Sequence, residues 1–306
     1  MPATQFICPD GAKRNIKACL SHQGCRMSQR CATLPYLRHI SNQRPFTRVS
    51  PSSAGNGPRY IYLKAIYEYA IDPLQMTWAV IGTAAHQLLA QHAIVENVLQ
   101  EQRITHDDIE GIPDILEQDE FKPGSYLLTD YKTFGSYKVA KCLGIEATDE
   151  PVLDAHGKPI FLISGKNKGK PKTRKIFTKT AKPDLQNESL QLNQYRIMFE
   201  AAGFPVSRMQ LQVIVRDGAT YIAKSRGIDS NMYIIDIPRL SDASVYDFYR
   251  YLQFEVDEAF LNGWTRRCDC HESWQGRRCG GYCEVVEQCK QMDKMAIIQH
   301  KAKRRK

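Results

Sequence analysis

The 306-residue sequence lacks any apolar run long enough to cross a bilayer, and no signal-peptide core follows Met1. The expectation is a cytoplasmic protein of a bacterial or phage-infected cell, with no membrane partner. Cysteine is nearly missing from the middle of the chain. Of ten, four lie within Cys8–Cys31 and five within Cys268–Cys289, with Cys142 alone between. In a reducing compartment such clusters read as metal ligands rather than disulfides. Acidic residues are missing from Gly157 to Lys182, where lysine and arginine recur, and no helicase motif is present.

What is present fits a globular chain with one large domain, or one core with appendages: 42% hydrophobic and 25% charged residues. The net charge of +9 favours a polyanionic partner such as nucleic acid, a statement about association and not about fold.

The stretch Gly111 to Lys132 organises the rest. A mostly apolar segment at 112–117 meets an acidic Pro-Gly turn from Asp119 to Ser125, and an aromatic and branched run follows from Tyr126 to Thr133. This predicts a β-hairpin. Alternation puts Asp130 and Lys132 on one face and Tyr131 on the other, with Asp114 able to join from the partner strand. Two carboxylates beside an ammonium suit Mg²⁺ or Mn²⁺, and the lysine can orient water or a phosphate. Read alone, an Asp-x-Lys is more often a solvated ion pair.

Cys8, Cys19, Cys25 and Cys31 stand in a lysine- and arginine-rich segment, 1–40, too poor in large apolar residues to build a core. A tetrahedral Zn²⁺ site would supply the missing stability. Residues 41–58 read as a Ser/Pro/Gly-rich connector. Helices are expected over 59–69 and 75–100, the second carrying G-T-A-A-H with His86. Residues 145–183 read as a basic insertion. Its arms would be Ile160–Ile163 and Ile176–Phe177, and Lys166, Lys168, Lys170, Lys172, Arg174 and Lys175 would meet phosphates. A helix over 184–202 places Leu192, Tyr195 and Phe199 near one face and Gln191 with Tyr195. Strands at 208–216 and 220–226 are expected to pair across Asp217-Gly218. An amphipathic helix at 242–263 carries Tyr246, Phe248, Tyr251, Leu252 and Phe260. The order predicts an α/β protein with a mixed central β-sheet flanked by helices. Near the C terminus, Cys268, Cys270, His271, Cys279, Cys283 and Cys289 suit Zn²⁺ or an iron–sulfur cluster. The basic tail beyond adds to the attraction for polyanions.

Taken together, G-T-A-A-H, G-I-P-D, L-L-T-D-Y-K and Q-L-N-Q-Y resemble the PD-(D/E)XK nuclease superfamily, RecB-like branch, including the CRISPR-associated and AddB-type iron–sulfur nucleases. The resemblance spans roughly residues 50–290. It implies a restriction-endonuclease-like core over 59–264 and hydrolysis of DNA, by an exonuclease acting on single strands or ends. It further implies Asp114, Asp130, the Tyr131 carbonyl and His86 as Mg²⁺ or Mn²⁺ ligands. Lys132 would act at the attacking water, and Gln191 and Tyr195 would support the site and contact substrate. A helicase or recombination protein would be a separate partner. One departure stands out. Gly57 occupies the place of the first cluster cysteine, before Pro58 and Arg59, and Cys279, Cys283 and Cys289 have one residue more than the usual spacing. Cys31 could replace the missing ligand, or the N-terminal quartet could hold zinc and the segment 265–306 a metal of its own. The alternative to an enzyme is a non-catalytic nucleic-acid-binding or partner-docking protein on a nuclease-like scaffold.

Overall fold

The structure, a computed structural model, describes residues 3–21, 25–43, 48–92, 99–179 and 182–303. Parts of four expectations lie outside the described residues: 44–47 of the connector, 93–98 of the helix expected to reach residue 100, 180–181 of the insertion, and 304–306 of the basic tail.

The N-terminal segment is not a separate bead. Strands β1 (Ala3–Ile7) and β2 (Lys13–Asn15) lead into α1 (Ile16–Leu20) and α2 (Leu34–Ser41). A 3₁₀ turn (Pro51–Gly55), α3 (Pro58–Ile66) and β3 (Tyr69–Ile71) follow. β1 pairs antiparallel with β2 and parallel with β3, so the segment extends a sheet begun by the core. Phe6, Ile16, Leu37 and Ile40 share one apolar cluster with Tyr62 and Leu63 of α3. The segment's shortage of apolar residues is thus met by residues of the next one. The connector is likewise not loose, because Val49, Ser53 and Ala54 are buried.

Helix α4 (Thr77–Ala90) ends earlier than expected, and β4 (Leu99–Gln100), β5 (Ile104–His106) and β6 (Ile109–Gly111) follow. The expected hairpin forms from β7 (Ile115–Gln118) and β8 (Tyr126–Phe134), in register Ile115↔Thr129 to Gln118↔Tyr126. After α5 (Ser136–Cys142), β9 (Ile145–Pro151) pairs antiparallel with β10 (Thr173–Lys179). The insertion is therefore a hairpin, but its first arm is 145–151, and Ile176 and Phe177 face Thr148 and Ala147. Residues 160–162 lie in the distal part, hydrogen-bonded to 169–172.

Helix α6 (Gln186–Ala201) and β11 (Val206–Val215) complete the centre. The hairpin expected at Asp217-Gly218 does not form. Residues 221–225 are helix α7 (Tyr221–Ser225), capped by the Thr220 hydroxyl accepting from the Ala223 N–H, and the partner of β11 is β12 (Met232–Asp236). A side-chain cap outcompetes the turn signal here. The sheet order is β12-β11-β8-β7-β4, with β8 and β11 parallel and the other pairs antiparallel. A parallel pair needs a crossover, supplied by the run from α5 through α6.

Helix α8 (Asp242–Asn262) follows, then α9 (Arg277–Gly281) and α10 (Val286–Lys303). The face that α8 buries is Val245, Tyr249, Leu252, Val256 and Ala259, a helical repeat. Of the residues expected on that face, Tyr251 and Phe260 are instead exposed. Helix α6 lies between the sheet and α8 and is buried on both sides. Leu192, Tyr195, Met198 and Phe199 face the sheet cluster, while Leu190 and Ile197 face the α8 cluster. This forces Arg196 inside, where it donates to Asn193 Oδ1, Glu200 Oε2 and Asp242 Oδ1. No helix among the described residues is long and apolar enough to cross a membrane.

Leu211 is fully buried on β11, opposite Asp130. Leu211→Ala is expected to destabilise the fold by about 2–5 kcal/mol in denaturant titrations. A loss under about 1 kcal/mol would show that this sheet is not the core.

Candidate active site on the central strand

Strand β8 is buried from Leu127 to Asp130. Asp130 is a carboxylate in the middle of a sheet, 4% exposed. Burial pushes its carboxyl up to about 6, against the opposing pull of Lys132, while Asp114 adds to the rise. Two residues along the same face, Lys132 Nζ sits 2.6 Å from Asp130 Oδ2. Burial alone would lower the lysine's pKa, but the Asp130 carboxylate outweighs it and the net shift is upward. From α6, the Gln191 amide bridges the pair: Nε2 donates to Asp130 Oδ1 at 3.2 Å and Oε1 accepts from Lys132 Nζ at 3.3 Å.

Asp114 enters just before β7. Its Oδ2 accepts the Tyr131 N–H at 2.6 Å, and its Oδ1 lies 3.0 Å from His86 Nδ1. In an extended strand the N–H and C=O of one residue face the same neighbour, so the Tyr131 carbonyl lies on the edge that Asp114 lines. Tyr195 departs from expectation. It is buried, with its phenol held above the usual value by that burial, and it donates to the Ile112 carbonyl at 3.1 Å. It therefore braces the segment before Asp114 instead of facing a substrate. Gly111 completes the brace, because a Cβ there would come within 2.5 Å of the Tyr195 ring.

Sequence reasoning missed why α4 lies where it does. Trp78, Gly82 and His86 recur at four-residue steps and share a helix face. A Cβ at Gly82 would meet Thr133 Oγ1 at 3.2 Å, so the glycine lets α4 close on β8. Trp78 carries the Arg216 guanidinium 4.6 Å from its ring centre. The spacing was readable in the sequence; Arg216, from β11's far end, was not.

Among the described residues, no three or more His, Cys, Asp and Glu side chains stand gathered to enclose an ion. Mg²⁺ needs no such cage, since it takes one or two carboxylates with waters and substrate oxygens. The residues fit that demand: Asp130 Oδ2 is buried and faces only the Lys132 ammonium, 2.6 Å away, with no further partner.

The basic hairpin is less one-signed than its sequence. Lys166, Lys168, Lys170, Lys172, Arg174 and Lys175 are all exposed. Strand β9 sets Glu150 opposite Arg174 and Asp149 opposite Lys175, and Arg174 Nη2 lies 3.6 Å from Glu150 Oε2. The four distal lysines remain as candidates for phosphate.

Cys8, Cys19, Cys25 and Cys31 line one cavity, so Cys31 is placed with the N-terminal quartet. At the other end, Cys268 Sγ occupies the space beside Gly57, where a Cβ would stand 2.7 Å from it. Cys268, Cys283 and Cys289 are half-buried against the cluster that holds α3. Burial raises the Cys268 thiol and pushes that of Cys283 up to about 11. Cys270 and Cys279 are exposed. His271 Nε2 is spent on Asn187 Oδ1, at 2.9 Å.

His86 is raised by its hydrogen bond to Asp114, which outweighs its partial burial. A raised base stabilises the fold fully below its unfolded value near 6.5, and that contribution is lost as pH rises through the folded value. In metal-free protein, NMR titration is expected to place His86 above 6.5, with Asp114→Asn bringing it down. An unmoved titration would mean the contact does not exist in solution.

No family model matches this chain, and no curated protein matches it. Among solved structures, that of SSO0001 is similar with a TM-score of 0.40 and 14% identity, over 84% of this chain and 92% of that one.

Proposed function

We propose that the chain is a Mg²⁺- or Mn²⁺-dependent nuclease that hydrolyses phosphodiester bonds in DNA. The observation that carries this reading is the convergence of Asp114 and Asp130 beside Lys132, with one oxygen of Asp130 buried and facing only that ammonium. A purely structural ion pair would not need a second carboxylate with its own supports, Tyr131 N–H and His86. The resemblance to RecB-like nucleases points to the same residues.

Asp114 and Asp130 would hold the ion, with the Tyr131 carbonyl and His86 at its edge. Bound there, it would supply Lewis-acid charge to a phosphate and acidify nearby water. Lys132, fixed by Gln191, would position the attacking water or a phosphate oxygen. Gln191 keeps Lys132 and Asp130 in register, while Tyr195 and Gly111 hold the Asp114 segment in place. The four distal lysines of the β9–β10 hairpin would contact the backbone of a single strand or an end. At the C-terminal end, Cys268 would supply from the other side the thiol missing at position 57. With Cys279, Cys283 and Cys289 it would hold zinc or an iron–sulfur cluster as a structural group.

End-labelled DNA should be degraded by wild type with Mg²⁺ or Mn²⁺ and not with EDTA. Lys132→Ala should bind DNA while cutting at least about 100-fold more slowly. Binding by both proteins without cutting by either would move the reading to a non-catalytic DNA-binding scaffold.

A proton competes with the ion at Asp130, whose carboxyl is raised to about 6. Apparent Mn²⁺ affinity, measured by calorimetry, should fall by up to about tenfold per pH unit below that value. The loss should disappear in Asp130→Asn at its weaker baseline. A flat profile from pH 5 to 7 would remove Asp130 as a ligand.

A further inference from the structure

The N-terminal cysteines lie far in sequence from the residues that the nuclease reading uses, and a role for them stands independently of that reading. Cys8, Cys19, Cys25 and Cys31 come from a strand end, a short helix and two loops. All four line one cavity of about 20 Å³, together with Arg14 and Arg30, although no three of them stand close enough to enclose an ion in this structure, so a bound ion would draw the thiols inward. That is the space of one water-sized body. None of the four is in a disulfide.

The backbone around the cavity is tied at several points. Cys8 opens a turn closed by the Gly11 N–H donating to its carbonyl, and the Cys8 N–H donates to Ala12. Cys25 opens a second turn, closed by the Ser28 N–H. Arg26 is paired with Asp10, which joins the two turns. Arg30 donates to the Cys19 and Ser21 carbonyls, joining the last loop to the end of α1. Arg14 contributes an Nε that is buried without a hydrogen-bond partner.

We propose that Cys8, Cys19, Cys25 and Cys31 bind one Zn²⁺ as a tetrahedral tetrathiolate centre. Four thiols are the ligand set of closed structural zinc sites. Four thiols around one water-sized space suit a single ion. Binding releases the four thiol protons and leaves a doubly negative centre. Arg14 and Arg30 line that space and offset the charge, and the orphan Arg14 Nε gains a thiolate acceptor. The ion fixes the loops between α1 and α2, which have little apolar surface of their own, and so secures the β1–β3 pairing.

The test uses full-length protein. Purified wild type should carry about one zinc per chain beyond that held elsewhere, and Cys25→Ser/Cys31→Ser should lose about that one equivalent. These two thiols are the less buried of the four, so their loss opens no core. Cys279→Ser, at the other end of the chain, should keep the N-terminal equivalent. On wild type alone, mercurial titration of thiols should release zinc to a chelating dye. Apoprotein refolded with Co²⁺ should show tetrahedral thiolate bands that the double variant lacks. Limited proteolysis should then cut within the first forty residues of the double variant while leaving the central sheet intact. The proposal fails if wild type holds no zinc and Co²⁺ gives no thiolate bands, or if the double variant loses none. Iron in place of zinc at these thiols would also overturn it.

Discussion

A carboxylate inside a sheet is the constraint on which this structure depends. Asp130 sits in the buried half of β8, where water cannot stabilise its charge. A neighbouring ammonium and a bridging amide are the available compensation, and Lys132 and Gln191 supply them. That requirement fixes more than two side chains. It sets the register of β8 against β11, because a slip of one residue would turn Asp130 and Lys132 to the opposite face. It also sets α6 against the sheet, since Gln191 must reach both partners. The burial of α6 on two sides, with Arg196 trapped and fully paired, is what holds it there.

The ends of the chain are fastened to this centre by a second kind of interaction. Buried arginines join α3 to the C-terminal segment: Arg59 Nη1 donates to Asp293 Oδ1 at 2.6 Å, and the Arg278 guanidinium lies 3.7 Å from the Tyr60 ring centre. Arg266 reaches both Glu255 of α8 and Glu272. Planar guanidiniums suit such positions because they satisfy several acceptors at once and stack on rings. The cysteine-rich end is thus packed on the core, and α3 is the meeting place of both termini.

The parts legible in the sequence were those written in short range. The hairpin around Asp114 and Lys132, helix α6 and helix α8 declared themselves through alternation, turn residues and helical spacing. The convergence of His86 with Asp114 was visible only as a resemblance, because 28 residues separate them. What stayed hidden depended on pairing between distant segments. The partner of β11 lies beyond a capped helix that a turn dipeptide concealed. The first arm of the basic hairpin was misplaced because Ile160–Ile163 carry the apolar pattern of a strand while Ile145–Pro151 carry acids. Those acids exist to face β10, a relation that no local window reveals. The surroundings of the C-terminal cysteines were equally illegible by count alone, since Cys268 packs beside a glycine, Gly57, more than 200 positions earlier in the chain.

The fit at Gly57 has a consequence for how the two ends of the chain are joined. A Cβ at position 57 would stand 2.5 Å from Glu272 Oε2 and 2.7 Å from Cys268 Sγ, so two side chains already fill the space beside the start of α3. Any side chain at position 57 would have to displace both Glu272 and Cys268, which ties the glycine to the packing of the C-terminal segment on α3.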